Sequence, residues 1–271
     1  MPAAEVLLDK ILAYGTTYKT KAREILIIKK VGTNSTSGVQ LKIDGQQTTK
    51  LISDLSPMHV TSSNKWGLLD LGDLYNVVLP EVEVELVGTS GDKVRIVGKK
   101  LILAPGEAIP SDLVSRADMQ HKAYVTYVKD SYSHGTDVAW ADGDENDVIT
   151  LTPASDEKYI FDSRYMAKLE NASATITEGD FATKFWLQTG FLEYLVGENI
   201  QHGIDILSTP YPPADSTEET GFLLKDRPIE VPGDQQFKVV ARNTSGGSIS
   251  PTSGASLTVT AALVAKFYKG V

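Results

Sequence analysis

Leu101-Ile102-Leu103-Ala104-Pro105-Gly106-Glu107-Ala108-Ile109 is echoed further along the chain by Pro228-Ile229-Glu230-Val231-Pro232-Gly233-Asp234-Gln235-Gln236-Phe237. Each copy reads as a short apolar strand, a Pro-Gly corner, an acidic residue and an apolar position that opens the next segment. Proline presets φ at the first corner position of a type II turn, and glycine accepts the positive φ required at the second. A β-rich stretch follows each copy, residues 123–129 in the first case and 257–267 in the second. The doubling points to two β-domains of related design in tandem. A chain of 271 residues matches two β-sandwiches of about 110–140 residues each.

Outward from the first phrase, the pattern stays β. The run Ile25-Leu26-Ile27-Ile28 is apolar throughout and flanked by charge. Val39, Leu41 and Ile43 alternate with Gln40, Lys42 and Asp44, and Asp44-Gly45 is a hairpin signal. Val82, Val84 and Leu86 alternate with Glu81, Glu83 and Glu85, and after a turn at Thr89-Asp92 the basic Lys93 and Arg95 answer them. The expectation is a hairpin with acids facing bases across it. Residues 2–15 carry the best helical signal, with Leu7, Leu8, Ile11 and Leu12 at helical spacing, Pro2 suited to a first turn and Gly15 to a C-cap. That segment is read as a packing helix or as an arm docking on a neighbouring subunit. Residues 131–147 and 208–221 read as polar, turn-rich loops. The expected organisation is therefore an N-terminal helix or arm over 1–20, a first β-sandwich over 21–145 and a second over 146–271.

Composition narrows function. Apolar residues make up 41%, enough for real cores. No apolar run approaches the roughly 20 residues of a membrane-spanning helix, and the first residues lack the pattern of a secretory signal, so synthesis in the cytoplasm without membrane insertion is expected. A net charge of −9 argues against a nucleic-acid binder, which needs a basic stripe to displace phosphate counterions. The absence of cysteine excludes disulfides, thiol catalysis and cysteine-ligated zinc.

Residues that could carry chemistry are few. His59, His121, His134 and His202 lack metal-ligand spacing, and no nucleophile elbow, phosphate loop or dinucleotide fingerprint is present. No paired carboxylates can be nominated for a glycosidase among the dispersed acids. The chain is accordingly read as a non-enzyme with no cofactor. Asp142, Asp144 and Asp147 lie in an acidic loop that could supply oxygen ligands to Ca²⁺, although the spacing is not that of an EF-hand and a solvated acidic loop is the plainer reading. Flat rings stack on sugars, so Trp140, beside that loop, is the glycan-binding candidate, with Trp66 and Tyr211 behind it; Trp186, between Phe185 and Leu187, is read as core. The sequons at Asn34, Asn171 and Asn243 recur by chance and carry no weight.

The closing residues 227–239, followed by the long apolar stretch 257–268, resemble the end of jelly-roll or related β-sandwich domains in virion proteins. The resemblance covers residues 227–271, with a fainter match at 101–129. It implies an all-β fold of two jelly-roll-like sandwiches and a structural role in a virus particle: a capsid, decoration, turret or tail component. The implied partners are copies of the chain itself, as a homo-oligomer or lattice, and other virion proteins. It transfers no active-site residue, and the acidic balance departs from capsid proteins that package RNA with a basic arm. The alternative is a carbohydrate- or receptor-binding sandwich.

Overall fold

The computed structural model describes residues 4–56, 68–174, 180–188 and 228–270. The chain divides into two compact units, one formed by Met1–Tyr127 together with Lys266–Gly270, the other by Val128–Ala265.

The first unit is built from β1 (Ala4–Ala13), β2 (Thr17–Lys19), β3 (Glu24–Thr33), β4 (Val39–Ile43), β5 (Gln46–Leu51), β6 (Leu69–Asp70), β7 (Asn76–Val78), β8 (Glu83–Val87) and β9 (Lys93–Ile102), followed by helix α1 (Ser111–Met119). One sheet runs β1-β9-β3-β6 with β7 also on β3, and the other runs β2-β8-β4-β5. The uninterrupted apolar run Ile25–Ile28 is buried on both faces of β3, as expected of a strand covered on two sides. Ile25, Ile27, Val77, Leu101, Leu103 and Leu113 of α1 share one apolar cluster. Between the sheets, Asn76 Nδ2 donates to Thr49 Oγ1 at 2.8 Å, and Tyr18 donates its hydroxyl proton to buried Glu24. The β4–β5 hairpin turns as its sequence predicts, with Asp44 at φ 52° and Gly45 at φ 73°, the pair of positive angles that defines a type I′ turn.

Two local expectations are corrected in this unit. Residues 4–13 form a strand, not a helix, paired with β9 over their whole length from Ala4↔Ile102 to Ala13↔Lys93. Leu8 and Leu12 fit a helical stripe, but they equally fit one face of a strand, and long-range pairing decided between the periods. Gly15 does take a positive φ of 76°, in a turn where the Thr16 amide donates to Ala13 O at 3.1 Å. The acids of β8 do not face the bases of β9, because the turn at Thr89-Asp92 carries the chain from one sheet to the other. Glu85 instead pairs with Lys42 on β4 (2.6 Å) and Glu83 with Lys19 on β2 (3.9 Å), while Arg95 pairs with Asp9 on β1 (2.7 Å).

The second unit contains β10 (Ala123–Thr136), β11 (Glu145–Leu151), β12 (Glu157–Phe161), β13 (Tyr165–Glu170), β14 (Phe181–Leu187), β15 (Ile229–Val231), β16 (Phe237–Asn243) and β17 (Ser256–Lys269), with the division between units falling inside β10 and inside β17. One sheet runs β10-β17-β12-β15 with β13 also on β17, and the other runs β11-β16-β14. Their inner faces meet through aromatic rings: Phe161 on Phe237 at 4.9 Å between centroids, and Tyr165 on Phe185 at 5.0 Å. The molecule is therefore all-β and sandwich-like. Residues 145 and 146, between which the sequence suggests a junction, open β11 within the second unit. The polar stretch after Asp130 is the outer part of β10, which runs through it with mostly exposed side chains as far as Thr136.

The two Pro-Gly phrases turn differently. In the first, the Glu107 amide donates to Ala104 O at 3.1 Å and Gly106 sits at φ 77°, a type II pattern. In the second the turn closes one residue later: the Gln235 amide donates to Pro232 O at 3.3 Å, and the positive φ of 61° falls on Asp234.

Candidate functional site

The exposed edge of β1 is the most distinctive surface of the first unit. Among the described residues β1 stands at the end of its sheet, with β9 on one side. Half of the large apolar side chains left exposed among the described residues lie on β1 and the turn after it: Val6 (42%), Leu7 (77%), Ile11 (54%) and Tyr14 (48%). Strand alternation sends Leu8 and Leu12 inward and Glu5, Leu7, Asp9 and Ile11 outward. On that outer face Asp9 accepts from Arg95 Nε at 2.9 Å and Nη2 at 2.7 Å, a bidentate pair that lowers the Asp9 carboxyl and raises the guanidinium. Glu5 pairs with Lys99 Nζ at 2.8 Å. On the opposite face Lys10 Nζ lies 3.9 Å from the centre of the Tyr18 ring. Desolvation, then the hydrogen bond to Glu24 and its charge, push the Tyr18 hydroxyl up to about 12. The charges of this edge are thus already partnered within the chain, while its apolar side chains are not covered by any described residue.

A cavity of about 320 Å³ opens elsewhere in the same unit, lined by Asp44, Val77, Asp118, Gln120 and His121 among others. Gln120 is not available to a ligand there. Its Oε1 accepts from the Val77 amide at 2.9 Å and its Nε2 donates to Val77 O at 3.0 Å, so the side chain pins the end of α1 to β7.

The residues nominated from sequence are placed as follows. Asp142 accepts from the Gly246 amide at 3.0 Å, Asp144 offers its carbonyl to the Trp140 indole at 3.1 Å, and Asp147 holds Lys238 Nζ at 2.6 Å. The structure does not bring these three carboxylates together, and among the described residues no group of three or more His, Asp or Glu side chains is placed to hold a metal ion. Trp140 is 1% exposed, in the core with Phe181 at 5.6 Å. It cannot serve as a stacking platform. Trp186 is the reverse case: Phe185 and Leu187 are buried while Trp186 is half-buried between them, with Lys238 Nζ 5.5 Å from its ring. Period-two alternation predicts that outcome once the segment is a strand. His134 is bonded through Nδ1 to Tyr132 (3.1 Å) and through Nε2 to Ala139 O (3.2 Å). All three sequon asparagines hold loops: Asn34 bonds Gly91 and Lys93, Asn171 bonds Ser256, and buried Asn243 bonds Trp140 and Gly247. Trp66, Tyr211, His59, His202 and the loop at 208–221 lie outside the described residues.

The β1 edge and helix α1 were the features missed from sequence. For the edge, the available signal was apolar residues at both odd and even positions, interleaved with Glu5 and Asp9. For α1 it was Pro110-Ser111-Asp112 ahead of Leu113, Val114 and Ala117. Among the described residues no helix is long and apolar enough to cross a membrane.

No family model matches the chain, and no curated protein matches it. Solved structures similar to it include the STIV major capsid protein (TM-score 0.31, 11% identity, 97% of this chain and 95% of that one). They also include the PBCV-1 virus capsid (TM-score 0.35, 11% identity, 98% and 95%) and the major capsid protein P2 of bacteriophage PM2 (TM-score 0.35, 8% identity, 98% and 98%).

Proposed function

We propose that this chain is a structural component of a virus particle that works through contacts with copies of itself and with other virion proteins. The observation that carries the reading is the pair of strand-built units, each formed of two sheets. It is supported by the resemblance of residues 227–271, now seen as β15, a Pro-Gly turn, β16 and β17, to the closing part of virion jelly-rolls. The role is mechanical: ladders of backbone hydrogen bonds fix the strands, leaving loops and edges to make subunit contacts. The net charge of −9 suits protein partners better than packaged nucleic acid. Trp140, the nominated glycan platform, is buried, and Asp142 and Asp147 are engaged by the Gly246 amide and Lys238 Nζ, so these residues lend no support to the carbohydrate-binding alternative.

The test is mass spectrometry of purified particles from the source organism, with electron microscopy of the expressed protein. The expected result is the chain as a stoichiometric part of a particle and ordered assemblies from the isolated protein. A chain that is absent from particles and monomeric at every concentration overturns the reading.

A further inference from the structure

We propose that the β1 edge pairs with the β1 edge of a second copy, antiparallel about a twofold axis at Asp9, so that each Leu7 faces the partner's Ile11. An edge strand presents backbone donors and acceptors to any strand that can align with it, and natural proteins guard such edges with charge, proline, bulges or a covering element. Over Ala4–Ala13 the β1–β9 register runs without a bulge, and the segment contains no proline. Its outward charges, Glu5 and Asp9, are neutralised by Lys99 and Arg95 on the neighbouring strand. Proline and bulge are therefore absent, the outward charges are cancelled, the inward Lys10 is drawn over the Tyr18 ring, and Leu7 at 77% exposure is left on a strand where solvent-facing positions are ordinarily polar.

The sequence of the edge selects its occupant. A twofold axis perpendicular to the sheet keeps outward residues on the outward face, so only registers centred on a residue need be compared. Centring on Leu8 sets Leu7 against Asp9 and Glu5 against Ile11, which opposes apolar and acidic groups at four places. Centring on Leu7 sets Glu5 against Asp9, two acids. Centring on Lys10 sets two lysines face to face. Centring on Asp9 sets Leu7 against Ile11 twice on the outer face and Val6 against Leu12 twice on the inner face, and Leu8 against Lys10, whose ammonium is already held over the Tyr18 ring. The two central Asp9 carboxylates each keep their own Arg95 in bidentate contact (2.9 and 2.7 Å), so the centre is a neutral cluster of two acids and two guanidiniums. Self-complementarity of charge and apolar groups in one register is what an isologous contact requires, and it identifies the occupant as a second copy of this chain. The inference deepens the assembly role proposed above but stands on the residues of the edge alone.

The chain has no cysteine, so engineered cysteines report on the contact without background. In the proposed register opposed Cα atoms lie about 4.5–5.5 Å apart, within reach of a disulfide. Under mild oxidation Leu7→Cys mixed with Ile11→Cys should cross-link, as should Asp9→Cys alone, whereas Leu7→Cys alone and Ile11→Cys alone should not. Sedimentation of Leu7→Lys/Ile11→Lys should show dimer association weakened about tenfold or more, with Val138→Lys, exposed in the other unit, as the unaffected control. Both lysines replace exposed side chains, and an unchanged circular dichroism spectrum shows that the fold is retained. Leu7→Cys cross-linking to itself, or oligomers that form unchanged in the double lysine variant, overturns the edge pairing and leaves the assembly role standing. A chain absent from virus particles that nevertheless cross-links in the stated pattern overturns the assembly role and leaves the edge pairing standing.

Discussion

Gly106 and Gly233 occupy matching places in two similar phrases, yet each is glycine for a different reason. Gly106 needs its freedom of φ: it sits at 77°, and a Cβ there would meet nothing within 4 Å. Gly233 needs its lack of a side chain: a Cβ would lie 2.5 Å from Ser155 O and 2.6 Å from Ala154 O, both backbone atoms. Gly106→Asn should therefore cost well under about 1 kcal/mol, since asparagine tolerates the left-handed region. Gly233→Ala should cost about 1–3 kcal/mol through overpacking, a ranking that urea denaturation of the two variants would read directly. Tyr18 offers a second test. Its hydroxyl is pushed up to about 12 in the folded protein by burial and by Glu24, from about 10 in the unfolded chain. A group with a raised folded value contributes stability fully present below its unfolded value and lost as pH rises through the folded one. Stability should thus decline between pH about 10 and about 12, and Tyr18→Phe should flatten that part of the curve. An identical decline in the variant would assign the loss to other groups.

At the level of elements, strands with a single consistent signal were legible in the sequence. The run Ile25–Ile28, the Asp44-Gly45 hairpin and the apolar alternation of β8 are all where the pattern puts them, because their local preference agrees with their tertiary setting. β1 was not legible, since Leu7, Leu8, Ile11 and Leu12 satisfy a helical and an extended period together, and only β9, far along the chain at Lys93–Ile102, settles which one forms. The acid-to-base pairing between β8 and β9 failed for a related reason: strands adjacent in sequence need not be adjacent in space, and the turn at Thr89-Asp92 crosses between sheets. The aromatic candidates inverted: strand alternation turns Trp186 half outward, while Trp140, in the loop before β11, is drawn into the core by its bridge to Ile249 and its contact with Phe181. A site made of an edge has no motif at all. It becomes visible only when pairing shows which strand is last.

At the scale of the whole molecule, the division into units is not a cut at one point in the chain. Lys266–Gly270 belong with the first unit, where Phe267 is buried, its ring 4.9 Å from that of Tyr124, and the Lys269 amide donates to Lys122 O at 2.8 Å. A chain ending at Ala265 should therefore lose stability in the first unit, by about 3–5 kcal/mol if the loss of Phe267 dominates, and the loss should appear as faster amide exchange in β9 and α1. Exchange confined to the second unit would contradict this. The same return of the chain also imposes an order in time. Synthesis delivers β1 to β9 first, then the whole of the second unit, and only afterwards residues 266–270. The contacts that Phe267 and Lys269 give the first unit therefore form only after the second unit has been made. The β1 edge proposed to bind a second copy thus belongs to a unit whose packing is completed by residues that follow the second unit in sequence.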